Sequence, residues 1–403
     1  MPRVALMLKI ALPFFLVILL SGCWSSKEIE SQSLYIGMAL DKEWSDKTEE
    51  AMNRKGGDYQ KKDVITSTIQ IVSMESATSP GANSLGSGRK KPYRNIVISG
   101  DSVIEIIREA ALKLDKPIIG HHLKVIVIGS KLAESVGVDQ LVDFYLRDND
   151  IRMSTMVFVS KGKASDVIKS DASGDIPSTH LAGIADNQFR TIKILPAQTL
   201  VTLNGHLQAG ENFLLQNVIA AKGEMKVSGA GVFDGTTRTL KGFLNEDEVG
   251  SLIWLNGLGK GGVLKVYDPR SGKAMTYEIN SMRSKIKSSL SSDKRVVFEV
   301  RIQSRGHWIE DWKDAAHPQG GLDRQEAEKL FSEAVKEGVE QLLDKLQNTL
   351  KIDGAGLGER LRVQHPAVWG RLKSDWNSEF SQATIRVEVE TKIEDYGTKN
   401  PSM

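Results

Sequence analysis

The sequence predicts an α+β protein of three domains, each a mixed or antiparallel sheet packed with helices, after a cleaved N-terminal signal peptide. Three observations support this prediction. The chain has 403 residues, enough for two or three domains. Segments of alternating apolar residues, typical of strands, are interspersed with segments of helical spacing. A short apolar run precedes the only cysteine of the chain, Cys23.

Residues 1–22 have the layout of a secretory signal peptide. Arg3 and Lys9 supply a positive region, an apolar run follows at 10–20, and two small residues end the segment. The run is shorter than the ~20 residues that a transmembrane helix needs. We therefore expect cleavage, and an uncleaved signal-anchor with an incidental thiol is the alternative.

Cys23 is the expected site of lipidation, because "LSGC" at 20–23 resembles the bacterial lipoprotein box. In that class of signal the thiol receives a diacylglycerol, and the peptide before the cysteine is removed. Because one acyl chain binds a membrane only marginally, a stable anchor also needs a further chain such as palmitate. Trp24 suits the headgroup region, where indole rings are enriched. The body is therefore expected on the outer face of a membrane, with no cofactor other than this covalent lipid.

Composition excludes several classes of protein. A single cysteine forms neither an internal disulfide nor a thiolate zinc site. Lys and Arg number 53 against 51 Asp and Glu, and two of the bases lie in the signal peptide, so the remainder is neutral. A neutral body gives no bulk electrostatic argument for binding nucleic acid or for a polybasic membrane surface.

The first predicted domain spans 23–200. Asp101 is expected to cap a helix, another helix is expected at 131–147, and 43–62 is expected to be a polar loop. Alternating or β-branched segments predict five strands, at 34–40, 64–72, 95–99, 123–129 and 153–160.

The second predicted domain, 201–270, is small. Helices with a break at Pro196 lead into it. From Phe213 the pattern indicates successive antiparallel strands with a turn at Asp234-Gly235. Asn245 followed three residues later by Glu248 is a capping-box pattern that begins an apolar helix.

The third predicted domain, 271–403, follows a turn-rich junction at 261–273. Strands are expected at 275–287 and 294–305, and a final one at 383–394. Between them, apolar spacing predicts one long amphipathic helix over 327–350. A second helix carries Trp369, Leu372, Trp376 and Phe380 on one face.

Motifs for catalysis or metal binding do not emerge. The seven histidines lack metal-ligand spacing, and no nucleophile elbow occurs. Gly354 to Gly358 resembles a dinucleotide fingerprint only as letters, because it follows a helix rather than a strand. Trp369 and Trp376 fit a core, whereas Trp308 and Trp312 are candidates for exposed interface residues. We therefore predict no catalytic residue and no metal.

Four blocks of the sequence together resemble the Ger(x)C family of spore germination lipoproteins, from about residue 20 to 397. The first is "CWSSKEIESQSLYIGMALDK", which begins at Cys23. The others are "KPIIGHHLKVIVIG", "GAGVFDGTTRTLKGFLNEDE" and "HPAVWGRLKSDWNSEF". The residues that carry the resemblance are Cys23, Trp24, Glu28, Ile29, Asp41, Gly120, His121, Asn245, Glu246, Trp369 and Trp376.

The resemblance implies a lipoprotein subunit of a nutrient germinant receptor. Its expected partners are an A subunit with soluble and membrane-spanning parts, and a B subunit similar to an amino-acid transporter. The expected location is the outer face of the cytoplasmic membrane, which is the inner membrane of the spore. The family folds as three α+β domains and has no known enzymatic activity. Two alternatives stay open: a small-molecule-binding envelope lipoprotein and, least favoured, an envelope enzyme.

Overall fold

The computed structural model describes residues 32–43, 47–57, 61–62, 64–72, 91–170, 174–312 and 322–396. The signal peptide and four predicted site residues, Cys23, Trp24, Glu28 and Ile29, lie outside this part of the chain. Within it, two β-sheets pack with helices, which confirms the α+β class.

The first sheet has nine strands. They are β1 (Ser33–Lys42), β2 (Ile65–Val72), β3 (Tyr93–Gly100), β4 (Ile118–Ile119), β5 (Val125–Gly129), β6 (Met156–Ser160), β7 (Phe213–Ala221), β8 (Glu224–Phe233) and β9 (Leu240–Leu244). Their order is β3-β2-β1-β5-β6-β7-β8-β9, with β4 beside β1. The strands are parallel from β1 through β5 and β6 to β7 and antiparallel at both ends.

Helices cover both faces of this sheet. Alternate residues of β5 point to opposite faces, and Ile126 and Val127 accordingly belong to two separate buried clusters. Because both faces are covered, every residue of β5 is buried and the strand is continuously apolar. The helices of this half are α1 (Lys47–Asn53), α2 (Val103–Glu109), α3 (Ser130–Ser135), α4 (Val138–Arg147), α5 (Ala164–Lys169), α6 (Pro177–Ala185) and α7 (Leu200–Ala209).

The second sheet has four strands in chain order. They are β10 (Val263–Tyr267), β11 (Ala274–Leu290), β12 (Val296–Asp311) and β13 (Thr384–Asp395). Strand β13 runs parallel to β12, and the other pairs are antiparallel. One face is apolar and packs on helices; the opposite face of β11, β12 and β13 is polar, and most of its side chains are exposed.

Five helices belong to this half: α8 (Glu246–Asn256), α9 (Arg324–Asp344), α10 (Leu357–Gln364), α11 (Pro366–Leu372) and α12 (Trp376–Gln382). The predicted long helix is α9, which a π-helical segment extends through Lys345–Leu350. Its apolar stripe, with Phe331 and Val339 fully buried, faces the second sheet and α8. The capping box of α8 forms as predicted: Asn245 Oδ1 accepts from the Glu248 N–H at 2.8 Å.

Several local predictions were wrong. The expected polar loop at 43–62 contains α1, and Val136-Gly137 divides the expected helix at 131–147 into α3 and α4. Ser102, not Asp101, caps α2; its Oγ accepts from the Glu105 N–H at 3.3 Å.

Other differences concern the C-terminal third. The helix expected to carry both Trp369 and Trp376 is two short helices, α11 and α12, with a 3₁₀ turn between them. The turn-rich junction at 261–273 contains β10.

The predicted domain boundaries stay predictions. The boundary at 200/201 lies between β6 and β7, which pair within one sheet. The boundary at 270/271 lies in the turn between β10 and β11. None of the described helices is both long and apolar enough to cross a bilayer.

Candidate functional site

A cleft of about 790 Å³ lies where one end of the first sheet meets the last three helices. The α7–β7 loop and the β8–β9 turn form one wall, and residues from 353 to 360 and from 369 to 377 form the other. We call it the junction cleft. Because residues far apart in sequence line it, no single motif encodes it.

Asp353 lies at the floor of the junction cleft and is 4% exposed. One carboxylate oxygen accepts from the backbone N–H of Ala355 and of Leu357, at 3.2 and 3.1 Å. The other accepts from the Gly358 N–H at 2.6 Å and from Trp376 Nε1 at 2.8 Å. Burial raises the pKa of this carboxyl, and these hydrogen bonds oppose that effect. Asp353 therefore fixes the start of α10 against α12.

Two asparagines join the walls of the cleft. Asn212 Nδ2 donates to Asn377 Oδ1 at 2.6 Å, and Asn212 Oδ1 accepts from the Gly235 N–H at 2.8 Å. Asn377 Nδ2 donates to Asp234 Oδ2 at 3.0 Å. Both asparagine side chains are partly buried, so these hydrogen bonds hold the first sheet to α12.

An acidic pair lies at the rim. Burial, followed by a hydrogen bond that the Glu211 carboxyl donates to the Glu359 carboxylate, raises the pKa of Glu211. A bidentate hydrogen bond from Arg362, at 2.6 and 2.7 Å, lowers the pKa of Glu359. His206 Nδ1 lies 3.3 Å from Glu211 Oε2. When the two carboxyls share one proton, Glu211 rather than Glu359 therefore holds it.

Aromatic and charged side chains complete the lining. The rings of Trp369 and Trp376 meet edge to face, with centroids 5.3 Å apart. Arg360, Lys373 and Asp375 also line the cleft, and all three are exposed. A partly apolar cleft with convergent charges can bind a small polar molecule. Among the described residues, no group of three or more His, Cys, Asp or Glu side chains is placed to hold a metal ion.

Of the predicted site residues that the structure describes, only Trp369 and Trp376 line the junction cleft. Asp41 is buried elsewhere, and its carboxylate accepts from the N–H groups of Ala164 and Ser165 at 2.7 and 2.9 Å. It therefore begins α5 rather than facing solvent. Burial raises its pKa, against those hydrogen bonds.

Gly120 and His121 occupy a turn before β5. A Cβ on Gly120 would lie 2.2 Å from Ile151 Cδ1 and 2.7 Å from the Tyr35 hydroxyl, so only glycine fits. His121 is exposed, and its Nε2 lies 3.6 Å from Asp150. His122 lies in the same turn.

Asn245 and Glu246 begin α8. Asn245 provides the helix cap, whereas Glu246 binds Lys226, Lys193 and the hydroxyl of Ser228. The hydrogen bond from Lys226 is the main cause of the lowered pKa of Glu246. These roles are structural.

The two tryptophans suggested as exposed interface residues, Trp308 and Trp312, differ in exposure. Trp308 is 7% exposed and packs on Tyr396, whereas Trp312 is 63% exposed. Only Trp312 is therefore free to act as the exposed interface residue that the sequence suggested.

Sequence reasoning missed Asp353, Asn212, Asn377 and Glu211. An available signal was "IDGAGLGER", in which an acid precedes small residues and a helix start. No signal indicated that Asn212 and Asn377, 165 positions apart, would meet.

Comparison with known proteins gives matches along nearly the whole chain. The family model described as "Spore germination protein N-terminal domain" matches residues 25–218. The model described as "Spore germination B3/ GerAC like, C-terminal" matches residues 228–397.

Individual proteins match over similar lengths. Spore germination protein YndF of Bacillus subtilis (strain 168) is 40% identical over 388 residues, which cover 95% of each chain. Spore germination protein B3 of the same organism is 28% identical over 97% of this chain and 98% of its own. The crystal structure of the GerBC protein superposes with a TM-score of 0.59 at 26% identity, over 84% of this chain and 96% of that one.

Proposed function

This chain belongs to the Ger(x)C family of spore germination proteins, and from that premise we propose that it is the lipid-anchored, non-catalytic subunit of a nutrient germinant receptor. The observation that carries the proposal is the agreement of both family models, in order, over residues 25–218 and 228–397. Relatives that match over at least 94% of their own length bear the names spore germination protein A3, B3 and KC.

Anchoring is the first component of the proposal. Cys23 carries diacylglycerol and a further acyl chain such as palmitate, and Trp24 lies in the headgroup region. The body then stays on the outer face of the cytoplasmic membrane, which is the inner spore membrane. Support comes from the apolar run and small residues before Cys23. A tether of this kind raises the effective concentration of the body near its membrane partners.

Assembly is the second component. The partners are a receptor A subunit and a transporter-like B subunit, and the body supports the germination response through its surfaces rather than through chemistry. Crosslinking in intact spore membranes, followed by mass-spectrometric identification of the crosslinked peptides, tests this proposal. We expect crosslinks from this chain to both subunits; a chain recovered without crosslinks to either would contradict it.

The junction cleft favours a second candidate function, that of a small-molecule-binding envelope lipoprotein. Its support is the volume of about 790 Å³ with Trp369, Arg360 and Lys373 in the lining. Titration calorimetry of the full chain against amino acids and sugars distinguishes the two. Tight binding of one nutrient, lost in Trp369→Ala, would favour this second function.

A further inference from the structure

On the polar face of the second sheet, most of the basic side chains lie towards one end of the strands. Six bases lie on one part of this face: Arg283, Lys285 and Lys287 on β11, Arg301 and Arg305 on β12, and Arg386 on β13. We call this set the basic zone. All six side chains are exposed, and alternate residues such as Met282 and Ile286 point to the core.

Strand register brings these bases together. Lys285 lies opposite Arg301 on the neighbouring strand, and Lys287 lies opposite Glu299, which in turn is beside Arg386. Residues two apart on a strand are about 7 Å apart and neighbouring strands about 4.8 Å, so the zone measures about 20 by 10 Å. Three distant segments of a neutral chain thus form one local concentration of positive charge.

Most of this charge is not neutralised within the chain. Arg301 bonds Glu388 at 2.9 Å, and two further acids lie among these positions: Glu299, and Glu390, which is beside Gln303 and pairs with Lys392 at 3.2 Å. In the part of the chain that the structure describes, the side chains of the other five bases form no hydrogen bond or ion pair. Six bases against three acids leave a positive excess, which attracts anions.

The zone also has room for an anionic group. A depression of about 200 Å³ is lined by four of these bases, Lys285, Lys287, Arg301 and Arg386, and by the carboxylates of Glu299 and Glu388. A phosphate group fits a depression of this size, and Lys and Arg are the side chains that bind phosphate. A second depression, of about 380 Å³, lies beside it on the same face, with Arg283 and Arg305 in its lining.

The opposite end of the same face is acidic. Glu278, Glu310 and Glu394 lie there, on β11, β12 and β13. Glu310 and Glu394 accept hydrogen bonds from Thr276 and Asn280 rather than from bases. The face therefore has a positive and a negative end, and an anionic surface would attract one end and repel the other.

We propose that the basic zone docks on the headgroups of anionic phospholipids and so orients the body on the membrane. The proposal rests on the proposed function, because the tether at Cys23 keeps a membrane within reach. The nine residues between Cys23 and Ser33 span at most about 30 Å. Each base close to an anionic leaflet contributes on the order of a fivefold gain in affinity.

The test compares three chains of residues 23–403 that all carry Cys23→Ala, so that neither an acyl chain nor the apolar run of the signal peptide contributes. The first has no other change. The second adds Lys285→Glu, Lys287→Glu and Arg386→Glu. The third adds Lys131→Glu, Lys241→Glu and Lys260→Glu, which are exposed bases outside the zone and give the same change in net charge. Thermal unfolding by circular dichroism verifies that all three chains fold.

Sedimentation with vesicles supplies the readout. We expect the first and third chains to bind phosphatidylcholine vesicles containing about one third phosphatidylglycerol, and the second chain to bind about tenfold or more weakly. The difference should vanish in pure phosphatidylcholine vesicles and in about 0.5 M salt. Equal binding of the second and third chains would overturn the proposal.

Two further outcomes are distinguishable. If the second chain binds vesicles like the third, and if Lys285→Glu, Lys287→Glu and Arg386→Glu in a chain that keeps Cys23 abolish crosslinks to receptor subunits, the basic zone contacts an acidic protein and the lipid proposal is wrong. If acylated wild-type chain fails to fractionate with spore membranes, the anchoring proposed above fails. The vesicle result is independent of that failure, because its chains lack the anchor.

Discussion

The indole nitrogen of Trp376 and the carboxylate of Asp353 are joined by a hydrogen bond of 2.8 Å at the floor of the junction cleft. Trp376 also packs against Phe298 of β12, with ring centroids 6.4 Å apart. Asp353 in turn lies beside Asn377, which bonds the turn after β8. This single contact thus links the second sheet, the start of α10 and the end of the first sheet.

Replacing Asp353 with alanine should destabilise the protein. The change leaves three buried backbone N–H groups and the indole N–H without an acceptor. We expect the free energy of unfolding, measured in urea, to fall by about 3 kcal/mol. Asp375→Ala is the control: this exposed residue lines the same cleft and should change stability by about 0.5 kcal/mol at most. Equal effects of the two changes would refute the role assigned to Asp353.

Gly358→Ala tests the close approach of α10 to the tryptophans. The added Cβ would lie 2.5 Å from Trp376 Nε1 and 3.0 Å from Trp369 Cζ3. We expect a loss of about 2 kcal/mol in the free energy of unfolding, because neither ring can move freely. Gly370→Ala in α11 meets nothing within 4 Å. This change should raise the free energy of unfolding by about 0.5–1 kcal/mol, because glycine within a helix loses more backbone entropy on folding than alanine does. If Gly358→Ala left the free energy of unfolding unchanged, the two tryptophan rings would be able to move away from the added Cβ, and the close approach would not matter for stability.

The rim carboxylates should give opposite pH dependences. The folded-state pKa of Glu211 is raised, so its contribution to stability is complete below the unfolded-state pKa and is lost as the pH rises through the folded value. Glu211→Gln is neutral at every pH. The ordinary pKa of a glutamate is 4.5. As the pH rises above that value, the free energy of unfolding of Glu211→Gln should therefore fall less than that of the parent.

Glu359 is the matched control for this measurement. Arg362 lowers its pKa, so its contribution is present above the unfolded-state pKa and is lost as the pH falls. As the pH falls below the unfolded-state pKa, the free energy of unfolding of Glu359→Gln should consequently decrease less than that of the parent. Denaturant unfolding at a series of pH values checks both variants, and slopes of the same sign would contradict the assignment of the proton to Glu211.

Cys23→Ala tests the anchor. We expect a folded body that no longer fractionates with membranes and spores that germinate more weakly, because the attachment chemistry needs the thiol. Ser25→Ala, two residues on, leaves that chemistry intact and should behave like the parent. Membrane fractionation and the loss of optical density on nutrient addition give the two readouts. A Cys23→Ala chain that stays with membranes and supports normal germination would rule out the anchor.

Local features of this fold could be predicted from the sequence. The Asn245–Glu248 capping box and the apolar stripe of α9 are short-range patterns, and both form as expected. The alternation in β11 and β12 likewise identified strands that are half buried. Such patterns indicate which face of a helix or strand is apolar, because residues only a few positions apart determine that face.

Long-range pairing could not be predicted in the same way. Nothing in residues 384–395 indicates that β13 runs parallel to β12, yet this places Arg386 beside Glu299 and completes the basic zone. Bulk charge balance concealed the zone, because acids elsewhere in the chain offset its bases. The junction cleft was missed for a related reason: Asn212 and Asn377 meet only because two sheets pack together.

The shortest ladder along the first sheet, between β6 and β7, has a mechanical consequence. Val159 faces Asn217 and Ser160 faces Val218, whereas every other neighbouring pair in the order from β3 to β9 has a longer register. Separating β6 from β7 by twisting the sheet therefore breaks fewer main-chain hydrogen bonds than separating any other neighbouring pair in this order. The side chain of Asn217 accepts a hydrogen bond from the Lys161 N–H at 2.8 Å and donates one to the Ser228 carbonyl at 2.6 Å. These two bonds connect the end of β6 to β8 across β7, and they therefore add resistance to twisting where the main-chain pairing is shortest.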